Sequence, residues 1–287
     1  MKIHEVIVIG ALLGSVSFAA TAATPAVDAA AAPATADVDP LRAAAERQDT
    51  RAMYALGEAL DEGLGVPSDP QQAYDWYVRA AARGHAEAMN RLGVLYAEGR
   101  GVPCDYVAAL AWYQRAAEHG SGTAVRNIAT MYFYGFGVVQ SYEKAASLLQ
   151  AGARSGNADA ENKLGTMYEQ GLGVRRDPAR ARELFRKAAA QGYPAGMVNM
   201  GRMHAGAIAG DRDDVSAYAL IRAAIDAGVP ASMQEIALSE LHAVAGRLDA
   251  KQLARAESMA VGFSAAIDDA RFRPARSAAG ARQIAWK

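Results

Sequence analysis

The sequence predicts an all-α solenoid of helix-turn-helix repeats, and three observations carry that reading. Gly84, Gly120, Gly156, Gly192 and Gly228 fall 36 residues apart without an insertion, each closing an alanine-rich segment. Asp69, Asp105, Ser141, Asp177 and Asp213 keep the same period, and each side chain can accept a hydrogen bond from the free N–H groups of a helix's first turn. Two columns, Leu56, Leu92, Ile128, Leu164, Met200 and Leu60, Tyr96, Tyr132, Tyr168, His204, stand four residues apart, so both lie on one face of a helix preceding each cap. A period of this length marks a stack of units, none of which can bury its apolar face alone.

At the N-terminus, Lys2 precedes an apolar stretch from Val6 to Ala20, followed by small residues at Ala20-Thr21-Ala22 and Ala22-Ala23-Thr24. This pattern predicts a secretory signal peptide over 1–23 and a periplasmic or secreted protein. The apolar stretch is shorter than the roughly 20 residues that span a bilayer, so no integral span is expected in the mature form; an uncleaved inner-membrane signal anchor is the alternative. Residues 24–48, dominated as far as Pro40 by Ala, Pro, Thr and Asp, read as a flexible linker.

Five repeats follow, at 49–84, 85–120, 121–156, 157–192 and 193–228. In each, the first helix carries the two columns above. The turn after it reads Gly63-Leu64-Gly65-Val66, Gly99-Arg100-Gly101-Val102, Gly135-Phe136-Gly137-Val138 and Gly171-Leu172-Gly173-Val174. Glycine reaches positive φ at low cost just past a helix end, and the valine returns to the core. A phosphate loop would need a preceding strand, a Lys-Ser/Thr pair and one copy rather than four. Ala207, Ala209 and Gly210 replace the pattern in the fifth repeat, whose turn is expected to be irregular.

The second helix opens after the cap, with Pro70 and Pro178 at the first helical position, where a missing N–H costs nothing. Trp76 and Tyr77, Trp112 and Tyr113, Leu148 and Leu149, Leu184 and Phe185, and Leu220 and Ile221 supply its bulk. Ala73, Ala109, Ala145, Ala181 and Ala217 let a neighbouring helix approach. Helices this short are marginal alone, so stacking must hold them. A divergent pair over 229–268 is expected to cap the stack: Pro230 opens a helix to about Ala245, and Asp249 with Gln252 forms a capping box starting a helix to about Ala266. Residues 269–287 hold Arg271, Arg273, Arg276, Arg282 and Lys287, form a basic stretch with no acid after Arg271, and are expected to be a flexible tail.

In the second repeat, Ala86-Glu87-Ala88, Leu92-Gly93 and Tyr96 are followed by Gly99-x-Gly101-Val102, the cap Asp105, Ala109-x-x-Trp112-Tyr113 and Ala116-Ala117-x-x-Gly120. This run resembles the Sel-one-like repeat of the tetratricopeptide-like superfamily, and the likeness covers about 49–228. It implies an α/α right-handed superhelix acting as a protein-interaction adaptor, often in the bacterial envelope. The cysteine pair that some members carry in each repeat is missing here.

Chemistry-bearing residues are sparse. The 30 basic and 31 acidic side chains offer no footprint for nucleic acid. Cys104 is the single cysteine, so it forms no intramolecular disulfide and gives no lipid-anchor site at the signal. His85, His119, His204 and His242 form no i, i+4 pair, and Asp211, Asp213 and Asp214 lack the glycine and terminal glutamate of a calcium loop. The expectation is therefore no catalytic residue, no cofactor and no metal. By the tetratricopeptide likeness, residues two before and two after the leucine column face a concave groove: Tyr54, Asn90, Arg126 and Asn162, and Glu58, Val94, Thr130, Thr166 and Arg202. Asn90, Arg126 and Asn162 form a polar line that could pair with the backbone or carboxylates of an extended peptide. Phe133 and Tyr134 are a possible apolar anchor, unless the adjacent turn claims them as packing. The partner expected is another protein or an extended peptide; a peptidoglycan or cell-wall fragment is the alternative, and an envelope enzyme the third reading.

Overall fold

A computed structural model describes residues 38–271. The signal peptide and basic tail expected from the sequence lie outside the described residues, apart from the start of the tail. Among the described residues every regular element is a helix: α1 (Asp39–Glu46), α2 (Thr50–Glu62), α3 (Pro70–Ala81), α4 (Ala86–Glu98), α5 (Tyr106–Glu118), α6 (Gly122–Tyr134), α7 (Tyr142–Arg154), α8 (Ala158–Gln170), α9 (Pro178–Ala190), α10 (Pro194–Ala205), α11 (Asp214–Asp226), α12 (Ala231–Ala245) and α13 (Ala250–Arg271). The chain forms two compact units whose boundary, between Leu148 and Leu149, falls inside α7.

Helix starts repeat because their caps repeat. Asp69 accepts from the Gln72 N–H, Asp105 from Val107 and Ala108, Ser141 from Lys144, Asp177 from Arg180 and Asp213 from Ser216, all at 2.9–3.2 Å. The first helices are capped likewise by Asp49, His85, Ser121 and Asn157. Between the two helices of a repeat, the cap residue's own N–H closes the turn onto a carbonyl nine residues earlier: Asp69 to Leu60 at 2.7 Å, Asp105 to Tyr96 at 2.9 Å, Asp177 to Tyr168 at 2.8 Å. These bonds satisfy carbonyls that the end of a helix leaves open.

In the first unit one core runs from Ala45 to Met131. Leu56 and Leu92 are fully buried, and the rings of Tyr77 and Tyr113 pack against Gly57 and Gly93. A Cβ at Gly57 would stand 2.6 Å from the Tyr77 ring and one at Gly93 2.5 Å from that of Tyr113. Glycine here is a packing requirement: the missing methyl admits the ring. In the second unit Gly165 receives Phe185 and Gly201 receives Ile221 in the same way. That core continues through Met197, Leu220 and Met233 to Ile267 of α13.

Three departures from the sequence reading have physical reasons. The end of the expected linker is helical: α1 starts with Pro40 in its first turn and packs Leu41, Ala44 and Ala45 onto the repeats, Ala45 being fully buried. The turn of the fifth repeat is not irregular. Ala207 and Ala209 hold φ of 51° and 56°, in the positions of Gly171 and Gly173, and Ile208 N–H reaches Met203 as Leu172 N–H reaches Met167, each at 3.0 Å. Fixed loop length imposes the backbone even on alanine. Finally, α13 extends past Ala266 to Arg271, starting from the capping box in which Asp249 and Gln252 exchange bonds of 3.0 and 2.8 Å.

Candidate interaction face

Each unit has its own set of the predicted face residues. In the first, Tyr54 on α2 donates its hydroxyl to Glu58 one turn on, at 2.6 Å, and its ring stacks on His85 with centroids 4.5 Å apart. Burial, reinforced by the Glu58 carboxylate, holds the Tyr54 proton well above the ordinary phenol range. Arg91 of α4 reaches back across the repeat boundary to Glu58 at 3.0 Å and Glu62 at 3.2 Å. Beside them the buried Asp61 pairs with Arg100. Burial raises the Asp61 pKa, and the Arg100 and Arg91 charges oppose that shift.

Further along this unit, Asn90 is 1% exposed and accepts a 3.0 Å bond from the Asn127 amide. Val94 is equally buried. Arg126 and Thr130 on α6 are half-buried, the Thr130 hydroxyl donating to the Arg126 carbonyl at 3.1 Å. Phe133 is buried, with Tyr134 and Tyr142 edge-on at 4.9 Å, and Tyr134 stacks on Phe136. The aromatic pair considered as an anchor is therefore packing around the turn.

In the second unit Asn162 is fully buried and accepts from the Asn199 amide at 2.8 Å. Thr166, also fully buried, donates to the Asn162 carbonyl at 3.3 Å. Arg202 donates to Asn199 Oδ1 at 3.2 Å and stands 3.8 Å from Glu169 and 3.9 Å from Glu240. The polar line of Asn90, Arg126 and Asn162 is thus not an open row. First helices of neighbouring repeats pack closely enough that asparagines 37 residues apart meet side by side, and a buried amide without such a partner would be costly. Asn90, Val94, Asn162 and Thr166 lie inside; Tyr54, Glu58, Arg126, Thr130 and Arg202 keep part of their surface. The sequence reading missed Arg91, Asn127 and Asn199, although the 37-residue spacing of the two asparagine pairs was present to be seen.

Among the described residues, no His, Cys, Asp and Glu side chains converge in threes to hold a metal ion, and no helix is long and apolar enough to cross a membrane. The sole cysteine, Cys104, is exposed, with its thiol 3.4 Å from the Ala97 carbonyl.

Helix pairs repeating in 36-residue register, with recurring caps and, in four of the five repeats, a glycine against the facing side chain, define a helical-repeat solenoid protein. Residues 50–85, 86–121, 123–157, 158–193 and 194–229 each match the Sel1 repeat, and the chain belongs to that family. A protective antigen of uropathogenic Escherichia coli with an SLR fold is 33% identical with a TM-score of 0.64, the match covering 82% of this chain and 50% of the antigen. This chain thus spans about half the antigen's length. A Sel1 repeat protein from Oxalobacter formigenes shares the fold at 24% identity and a TM-score of 0.64, over 78% of this chain and 90% of that one. No curated protein matches. Sel1 repeat proteins are generally protein-interaction scaffolds.

Proposed function

We propose that this protein is an exported, non-catalytic adaptor of the bacterial envelope, which holds another protein or an extended peptide on the part-exposed side chains of its first helices. The observation that carries this reading is the division of labour along those helices. Asn90, Val94, Asn162 and Thr166 are spent inside, while Tyr54, Glu58, Arg126, Thr130 and Arg202 remain partly at the surface on a rigid, hydrogen-bonded base. Side chains held this way lose little freedom on binding, which favours association. Export rests on the sequence of residues 1–23, and the bacterial setting on the organisms of the similar structures.

The test is affinity capture from periplasmic extract with tagged mature protein, beside a variant carrying Arg126→Ala, Thr130→Ala and Arg202→Ala. A protein retained by the wild type and lost from a variant with an unchanged helical melt supports the reading. Equal retention places the partner elsewhere. If no protein is retained but the chain sediments with purified peptidoglycan, the wall-binding alternative replaces it. Sequencing of the mature N-terminus decides cleavage separately.

A further inference from the structure

Tyr74 and Tyr96 stand 22 residues apart, on the second helix of one repeat and the first helix of the next. Their hydroxyl oxygens meet at 3.1 Å, with the rings edge to face. In the second unit the same register positions hold Arg182 on α9 and His204 on α10. Two hydroxyls can satisfy one another, and a guanidinium N–H can donate to a neutral imidazole nitrogen, but that bond is not made here. Arg182 Nε and His204 Nδ1 are both shielded from solvent, and neither has a hydrogen-bond partner. Native proteins seldom leave such nitrogens unmatched, because the desolvation cost is not recovered.

The guanidinium is anchored. Its Nη1 donates to the Ala209 carbonyl at 3.4 Å and lies over Gly210, where a Cβ would stand 2.7 Å from it. The imidazole is held in the last turn of α10, whose His204 carbonyl accepts the Asp213 N–H at 3.2 Å. Burial, then the Arg182 charge, lowers the His204 pKa against the opposing pull of Asp213. The Asp213 carboxylate is engaged at the Ser216 N–H, 2.9 Å away, and hydrogen-bonds to neither nitrogen. What the Arg182 Nε–H lacks is an acceptor, and a negative one would also favour the protonated, donating form of His204.

We propose that Arg182 and His204 form an oxyanion site beside the turn of the fifth repeat, which takes a carboxylate or phosphate oxygen. Guanidinium N–H and imidazole N–H groups are donors that suit such oxygens. The site uses none of the residues assigned to the partner face, so the two readings fail separately.

The test follows the His204 imidazole by NMR, with thermal melts alongside, in sodium acetate, sodium phosphate or sodium chloride at equal ionic strength. The comparison is the Arg182→Tyr/His204→Tyr variant, which copies the Tyr74 and Tyr96 pair and so keeps a packing the fold already uses. In the wild type, acetate or phosphate is expected to raise the His204 pKa and to lift Tm by about 3 °C at a tenfold excess over Kd, with no lift in the variant. The anion acting at lower concentration distinguishes a carboxylate source from a phosphate source. Arg182→Lys, which keeps the charge but loses the Nε–H, is expected to weaken the response at least tenfold. An equal lift in wild type and double variant, or a His204 resonance indifferent to both anions, overturns the site and leaves a bridging water as its occupant.

Discussion

At the scale of single residues, the fifth-repeat turn carries a measurable strain. Ala207 and Ala209 occupy the left-handed region that the other turns reserve for glycine, and a side chain there costs roughly 1–2 kcal/mol per residue. Part of that is returned as the entropy glycine loses on folding. Ala207→Gly and Ala209→Gly are each expected to stabilise the protein by about 0.5–1 kcal/mol, read as a higher urea midpoint at unchanged slope. A second residue-scale effect concerns His85. Its Nδ1 accepts the Ala88 N–H at 3.2 Å, the role that Asp49 and Asn157 fill elsewhere. Burial lowers its pKa, Glu87 and Glu58 opposing and Arg51 adding to the shift. A pKa lower in the folded state means the neutral imidazole is the stabilising form. The contribution is whole above the unfolded value, about 6.5, and is lost as pH falls through the folded value. His204 shifts in the same direction. Melts from about pH 7.5 to 5 should show Tm falling, and less steeply in His85→Asn, which caps without a titrating nitrogen.

At the scale of elements, what could be read from sequence was what the backbone itself demands. A helix needs an acceptor for its first N–H groups, so the column from Asp69 to Asp213 located five helix starts. A ring pressed on a neighbouring helix needs a missing Cβ, which is why Gly57, Gly93, Gly165 and Gly201 share a column. The elements that escaped carry weak local signals. Helix α1 has one buried residue, Ala45, amid Ala and Pro, and its order comes from packing against the first repeat. The candidate face was half legible for a related reason. Tyr54, Glu58, Arg126, Thr130 and Arg202, chosen by the tetratricopeptide likeness, keep part of their surface, whereas the burial of Asn90 and Asn162 depends on how far one helix stands from its neighbour. Spacing along one helix does not reveal that distance.

At the scale of the whole molecule, the register sets which repeats belong beside each other. Asn90 meets Asn127, and Asn162 meets Asn199, each pair 37 residues apart. The residue 37 beyond Asn90 in a chain deleted for 121–156 would be Lys163, which in the intact protein pairs with Asp159 at 3.2 Å. That deletion is expected to bury an amide against an ammonium group. Introducing Lys163→Asn into the deleted chain should recover about 1–3 kcal/mol, seen in the denaturation midpoint, and the same substitution in the full-length protein should recover nothing. Excision of 121–192 would instead bring Asn90 opposite Asn199 and rebuild the amide pair unaided. Between residues 85 and 228 the matching unit is therefore two repeats, or 72 residues. Recombination that drops 85–156, 121–192 or 157–228 leaves no member of these two pairs unmatched, whereas loss of any single repeat between 85 and 228 strands one of the four asparagines, and its product must acquire a compensating mutation to fold as well as its parent.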